Sequence, residues 1–239
     1  MLRMKSPSKT IPHALAAMLL TGAMGAAQIP RLCNTGQTAK NFAGCTGALV
    51  SPNPLGGGPN RDGNWWVSYP HPISGAEARD PCSLKLISAY VDTPNAAWLP
   101  NSASTASEWI TPYDGEDDRQ AGYYVYATFF PISDSPSPIG FTINGQLASD
   151  NATVGIYLGT PAGVTSCPLV SGQSFPVNPA SLESGDSQQW WPFSFTNPEP
   201  LAVASPAVLY FVVRNGHTPD GGSPTGLRVE FFPTSSFQY

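Results

Sequence analysis

The chain has 239 residues, with 11 Lys plus Arg against 16 Asp plus Glu (formal charge -5), and it carries 23 Gly and 26 Pro. The few basic residues beyond the first 27 are scattered from Arg31 to Arg228, which excludes nucleic acid and anionic membrane surfaces as partners, because both require clustered Lys or Arg. Abundant Pro excludes long helices and central strand positions, and leaves many short strands joined by long loops.

The first element is a secretory signal peptide over residues 1–27. Arg3, Lys5 and Lys9 precede the apolar run Ala14 to Ala27, and Gly25 and Ala27 occupy the minus-three and minus-one positions of a cut before Gln28. The run is too short for a comfortable membrane span; a retained N-terminal anchor is the competing reading. No second stretch of spanning length follows, so the expected mature chain is exported, extracellular or periplasmic, with no membrane span. Removing the signal leaves about 210 residues, within the range of one all-β domain. It also leaves 8 basic against 16 acidic residues, a net charge of -8. The expected organisation is a single β-sandwich over 28–239 with an N-terminal extension.

Four cysteines, Cys33, Cys45, Cys82 and Cys167, lie beyond the signal. In an exported chain their even number predicts two disulfides. Of the three pairings, Cys33 with Cys45 and Cys82 with Cys167 is the simplest. A zinc site is the rival reading, but the cysteines lack close paired spacing, and only His71 and His217 could add imidazole ligands.

The strand candidates, in order, are Asn64 to Tyr69, Leu84 to Val91, Tyr123 to Phe130, Phe141 to Ala148, Thr153 to Leu158, Trp190 to Phe195, Val208 to Arg214 and Gly226 to Phe232. In the fourth, Phe141, Ile143 and Leu147 share one face while Thr142, Asn144 and Gln146 share the other, the period of a half-buried strand. Ser149-Asp150-Asn151 reads as a turn into the next run, since Asp and Asn bond their own backbone. Val208 to Val213 is apolar on both faces, as in a central strand or one whose second face is covered by loops or a ligand. Residues 159–189 read as an inserted loop. In the last strand Leu227, Val229 and Phe231 face one way and Arg228 and Glu230 the other. The fold expected is an antiparallel jelly-roll sandwich.

Between the strands, Asp114, Glu116, Asp117 and Asp118 form an acidic loop, either a solvated surface or a structural calcium site built from oxygen ligands. Six tryptophans are present: Trp65, Trp66, Trp98, Trp109, Trp190 and Trp191. Their rings serve either core packing or stacking on sugars. In each adjacent pair one ring must point inward and the other outward.

The order Gly63-Asn64-Trp65-Trp66-Val67, Ala97-Trp98-Leu99, Ser107-Glu108-Trp109-Ile110, Tyr123 to Phe129, Ala148 to Thr153 and Ser223 to Glu230 resembles the secreted β-sandwich domain of exported bacterial proteins, including many exosortase-sorted (PEP-CTERM) proteins. The strongest pieces are the Asp150-Asn151 turn and the Thr225-Gly226-Leu227-Arg228 hairpin. The resemblance covers roughly Asn34 to Phe232 and implies a galactose-binding-like, carbohydrate-binding-module-like jelly roll with an extracellular binding or matrix role and no catalytic machinery. The sorting tail of the anchored members is missing, so release rather than anchoring is expected.

Catalysis has little support in the sequence. A Ser-His-Asp hydrolase would have only His71 or His217 to use. A glycosidase would depend on Asp114 to Asp118 and Glu230. The function expected is therefore a secreted, non-catalytic module for carbohydrate or an extracellular matrix component. The alternative is a structural or assembly protein without a small ligand, and a hydrolase is the remote third. The expected ligand site is Trp66, Trp109, Asp150, Asn151 and Arg228.

Overall fold

A computed structural model describes residues 27–28, 32–40, 44–50, 60–68, 84–94, 96–113, 120–131, 140–159, 169–174, 186–197, 207–216 and 224–238. Among these, the chain is antiparallel β-structure: β1 (Ala27–Gln28), β2 (Gln37–Lys40), β3 (Gly44–Leu49), β4 (Arg61–Ser68), β5 (Leu86–Asp92), β6 (Trp109–Thr111), β7 (Gly122–Phe130), β8 (Gly140–Asp150), β9 (Ala152–Gly159), β10 (Leu169–Ser174), β11 (Asp186–Asn197), β12 (Ala207–Asn215), β13 (Gly226–Phe231) and β14 (Ser236–Gln238). A 3-10 turn, Asn101–Ala103, lies between β5 and β6. Each of the eight runs expected from periodicity coincides with a strand over most of its length; Leu84, Lys85 and Phe232 lie just beyond β5 and β13, and Tyr69 lies outside the described residues. No helix among the described residues is long and apolar enough to cross a membrane.

The large sheet runs β1-β14-β8-β13-β6-β5-β4-β7-β12-β9-β10, with β11 on the other edge of β8, while β2 and β3 form a separate ribbon. The sheet wraps round until β11 approaches β9 and β10, a near-barrel. Two turns expected from the sequence are placed differently. β8 and β9 are separated by Asn151 alone, yet they do not pair with each other: β8 pairs with β11, β13 and β14, and β9 with β10 and β12. Asp150-Asn151, whose peptide is cis, is therefore a corner between two sides of the barrel. Likewise Thr225 to Arg228 is no hairpin but the entry of β13, which pairs with β8 and β6. Within the segment expected to be an inserted loop, β10 pairs with β9, and β11 begins at Asp186. Ala27, on the far side of the expected signal cut, pairs with Phe237.

The main core follows from strand alternation. Phe141, Ile143 and Leu147 of β8 pack with Phe193 and Phe195 of β11, Leu209, Phe211 and Val213 of β12, and Leu227 and Val229 of β13. Trp65 anchors it, its ring 5.4 Å from that of Phe211. Each such side chain contributes roughly 1.5–3 kcal/mol of burial. Val208, Tyr210 and Val212 form a second buried cluster with Val125 and Ala127. Both faces of β12 are thus covered, as its two-sided apolar pattern implied. Gly145 admits the Phe193 ring: a Cβ there would lie 2.7 Å from it.

The N-terminal extension is built into this frame. Cys33 is bonded to Cys45, the expected short bridge; Cys82 and Cys167 lie outside the described residues. The Trp65 indole donates to the Cys33 carbonyl at 3.0 Å. The Asp62 carboxylate accepts from the Gly36 and Asn64 N–H groups, each at 2.7 Å. β13 and β6 pair only at Leu227 and Ile110. Beyond that point Thr35 sits between them, its hydroxyl accepting from Val229 N–H at 3.0 Å and donating to the Glu108 carbonyl at 2.7 Å. Its own N–H donates to the Val229 carbonyl, and its carbonyl accepts from Glu108 N–H. The Asn34 side chain accepts from Phe231 N–H.

Candidate ligand-binding face

Four of the five residues expected to bind ligand lie near one another, but they are buried. Arg228 is 0% exposed. Its Nε donates to Ser107 Oγ at 2.8 Å, and its two terminal nitrogens donate to the carbonyls of Leu99, Pro100, Asn101, Ser104 and Ser107. The guanidinium occupies the centre of the 99–107 loop much as a bound cation would occupy an oxygen cage. Trp109, also fully buried, donates to the Leu99 carbonyl at 2.7 Å. Its ring lies 4.5 Å from that of Trp98. The Trp98 indole in turn donates to Asp150 Oδ2 at 2.7 Å. Gly226 makes room for Trp98, which would stand 2.7 Å from a Cβ. Asn151 Oδ1 accepts from Gly216 N–H at 2.6 Å. Trp66 lies apart: it pairs with Ala127, on the side of the second cluster, and meets Phe129 edge-on at 4.8 Å. Asp114, Glu116, Asp117, Asp118, His71 and His217 lie outside the described residues. Among the described residues no group of three or more metal-ligating side chains occurs.

The buried charges are unevenly satisfied. Ser107 Oγ, which accepts from Arg228, donates to Glu230 Oε1 at 2.8 Å. Glu230 Oε2 accepts from Gln146 Nε2 at 2.9 Å. Burial lowers the Arg228 pKa from its usual value, against the opposing pull of Glu230 and Glu108. Glu108 is nearly buried, and its Oε2 has no hydrogen-bond partner. Burial raises its carboxyl to about 7 despite Arg228. Asp150 is raised to about 6 by burial, opposed by the Trp98 bond, and Asp62 to about 6 by burial, opposed by backbone N–H groups.

Adjoining this cluster is a face that the five expected residues do not include. The outward positions of β8, Thr142, Asn144 and Gln146, register with Thr196, Ser194 and Pro192 of β11. The side chains form a ladder across β11, β8 and the turn between β13 and β14. Thr142 and Thr196 hydroxyls meet at 3.3 Å. Ser194 donates to Asn144 Oδ1 at 2.8 Å, and Asn144 Nδ2 donates to Thr234 Oγ1 at 3.2 Å. Pro192, Ser194, Thr196 and Thr234 are exposed, and the β8 members are half-buried. One end is closed by Trp190, half-buried, with the Arg228 guanidinium 5.1 Å from its ring centroid. Beside the middle of the ladder, across from β11, Phe232 is 38% exposed, and its N–H donates to the Asn144 carbonyl. Trp191 is 43% exposed, so of that tryptophan pair one ring is open to solvent.

Hydroxyl and amide groups offer donors and acceptors together, and each member of the ladder retains capacity beyond its neighbour. Such groups match the hydroxyls of a sugar, while an indole offers a flat apolar surface to a sugar ring. The signal for this face was visible in part, since Thr142, Asn144 and Gln146 alternate with the core residues of β8. What joins them to Ser194, Thr196 and Thr234 is register, and register between strands 50 residues apart is not written in either strand. No protein-family model matches the chain, and no curated protein matches its sequence.

Proposed function

We propose that the protein is an exported, non-catalytic carbohydrate-binding module of the jelly-roll type, whose ligand lies across the outward face of β8 and β11. The observation that carries this reading is the uncharged ladder of Thr142, Thr196, Asn144, Ser194 and Thr234 ending at Trp190. The ladder is already ordered by its internal bonds, so binding requires little further loss of side-chain freedom. The Cys33–Cys45 bridge supports a non-cytoplasmic location, because disulfides persist in oxidising compartments. Arg228 and Trp109 serve this face from beneath, by fixing the 99–107 loop and the ring of Trp190.

A glycan array on the folded protein tests the reading. Wild type should bind at least one glycan, and Ser194→Ala combined with Asn144→Ala should weaken that binding at least tenfold, whereas Arg61→Ala, on β4, should not. Binding retained at full strength by the double variant with native melting behaviour, or binding to no glycan at all, would overturn it.

A further inference from the structure

We infer that this face receives the interior of an extended, uncharged polysaccharide chain running along β8, and neither a chain end nor an anionic glycan. The inference rests on the carbohydrate reading above and narrows it to one class of ligand.

The shape of the face excludes capture of an end. A site for a terminal sugar must close around it, so that the terminal hydroxyl and the absence of a further sugar are both sensed. Here the polar positions lie on a sheet surface, with Ser194, Thr196, Pro192 and Thr234 all exposed. From Thr142 to Gln146 the ladder extends about 13 Å along the strand, and across β11, β8 and the β13–β14 side it extends about 10 Å. That is room for more than one sugar. Polar positions recur every second residue along β8 and meet Trp190 at its inner end. A chain following the strand therefore meets hydroxyl and amide groups in succession and then an indole ring. Across the strands the path is shorter and runs toward the exposed ring of Phe232.

The charge pattern selects a neutral ligand. Thr142, Asn144, Gln146, Pro192, Ser194, Thr196 and Thr234 carry no charge. The acidic side chain that does reach the ladder is Glu230, 8% exposed and accepting from both Gln146 and Ser107. Arg228, which could attract an anion, donates inward to the loop carbonyls and has the ring of Trp190 over it. A uronate or sulfated chain would find no exposed cation among the described residues of the face and would approach an acidic protein. A neutral polyhydroxyl chain exchanges hydrogen bonds with water for hydrogen bonds with the ladder and bears no desolvation cost for a charge.

Affinity electrophoresis of the whole mature protein in gels containing hydroxyethylcellulose, xylan, galactomannan or a neutral galactan, against polygalacturonate and alginate, tests the charge selection. Retardation should occur in at least one neutral gel and in neither anionic gel at low salt. Titration with oligosaccharides of the retarding polymer tests the geometry. Affinity should rise at least tenfold from the disaccharide to the hexasaccharide, and reducing the polymer's ends with borohydride should leave its binding unchanged. Thr196→Val, an exposed position whose change spares the core, should weaken the hexasaccharide several-fold and the disaccharide less. Full competition by a monosaccharide, loss of binding on end reduction, or retardation only by the anionic gels would overturn the inference while leaving a carbohydrate site in place. Absence of binding to every polymer and oligosaccharide would overturn the carbohydrate reading itself.

Discussion

At the scale of single residues, the molecule is held by side chains that replace missing backbone partners. Thr35 does so between β13 and β6, and Thr35→Val leaves the Val229 N–H and the Glu108 carbonyl without their partner. The expected loss is about 2–4 kcal/mol, from about 1–3 kcal/mol per unsatisfied buried group, read by chemical denaturation. Arg228 satisfies the carbonyls of the 99–107 loop, and Arg228→Lys keeps the charge but offers only three donors in a different shape. We expect about 2–4 kcal/mol of destabilisation and faster proteolysis within 99–107, with Arg228→Ala costing more. Glu108 gives a pH dependence of definite sign. Its carboxyl is raised to about 7 from an ordinary value of 4.5, so the folded state holds its proton more tightly. Stability from this group is full below about pH 4.5 and declines as pH rises toward 7. Asp62 and Asp150, raised to about 6, add declines of the same sign between about pH 4 and 6. Glu108→Gln should flatten the slope between pH 5 and 8 and raise the melting temperature at pH 8, by the equivalent of about 1–2 kcal/mol. The sequence showed Arg228 on the side opposite Leu227 and Val229, and there it stands. Its burial was not legible, because its cover comes from a loop 120 or more residues earlier.

At the scale of elements, strands were legible and their partners were not. β8 announces itself by alternation, since Phe141 and Ile143 must be buried while Thr142 and Asn144 need not be. Nothing in that pattern says that the chain turns a corner at Asn151 rather than folding back as a hairpin. A hairpin is a local choice, whereas β8 finds β13 and β11 through contacts distant in sequence. β10 escaped notice because Leu169 to Ser174 has Ser171, Gly172 and Gln173 in place of a β-branched run. The close fit of β8 to β11 and β13 gives a test of this pairing. Gly145→Ala places a methyl 2.7 Å from Phe193 and closer still to the Glu230 carbonyl. Backbone cannot yield as a flexible side chain can, so about 2–4 kcal/mol should be lost by thermal unfolding. Ser194→Ala, on the outer side of the same strands, should cost about 1 kcal/mol or less.

At the scale of the whole molecule, the Cys33–Cys45 bridge closes a short loop, and removing it with Cys33→Ser and Cys45→Ser should cost about 2–3 kcal/mol. Non-reducing and reducing denaturation curves of the wild type should differ by at least that amount. The same N-terminal segment that carries the bridge has its docking place between β6 and β13, where Asn34 and Thr35 meet Val229 and Phe231 across more than 190 residues of chain. During synthesis, then, this segment emerges long before β13 and can be seated on that side only when β13 has appeared. Until β13 arrives, Asn34 and Thr35 have no partner on that side. A nascent chain halted before Gly226 would keep that stretch open to proteases, so the arrival of β13 is itself the signal that closes the Asn34–Thr35 segment.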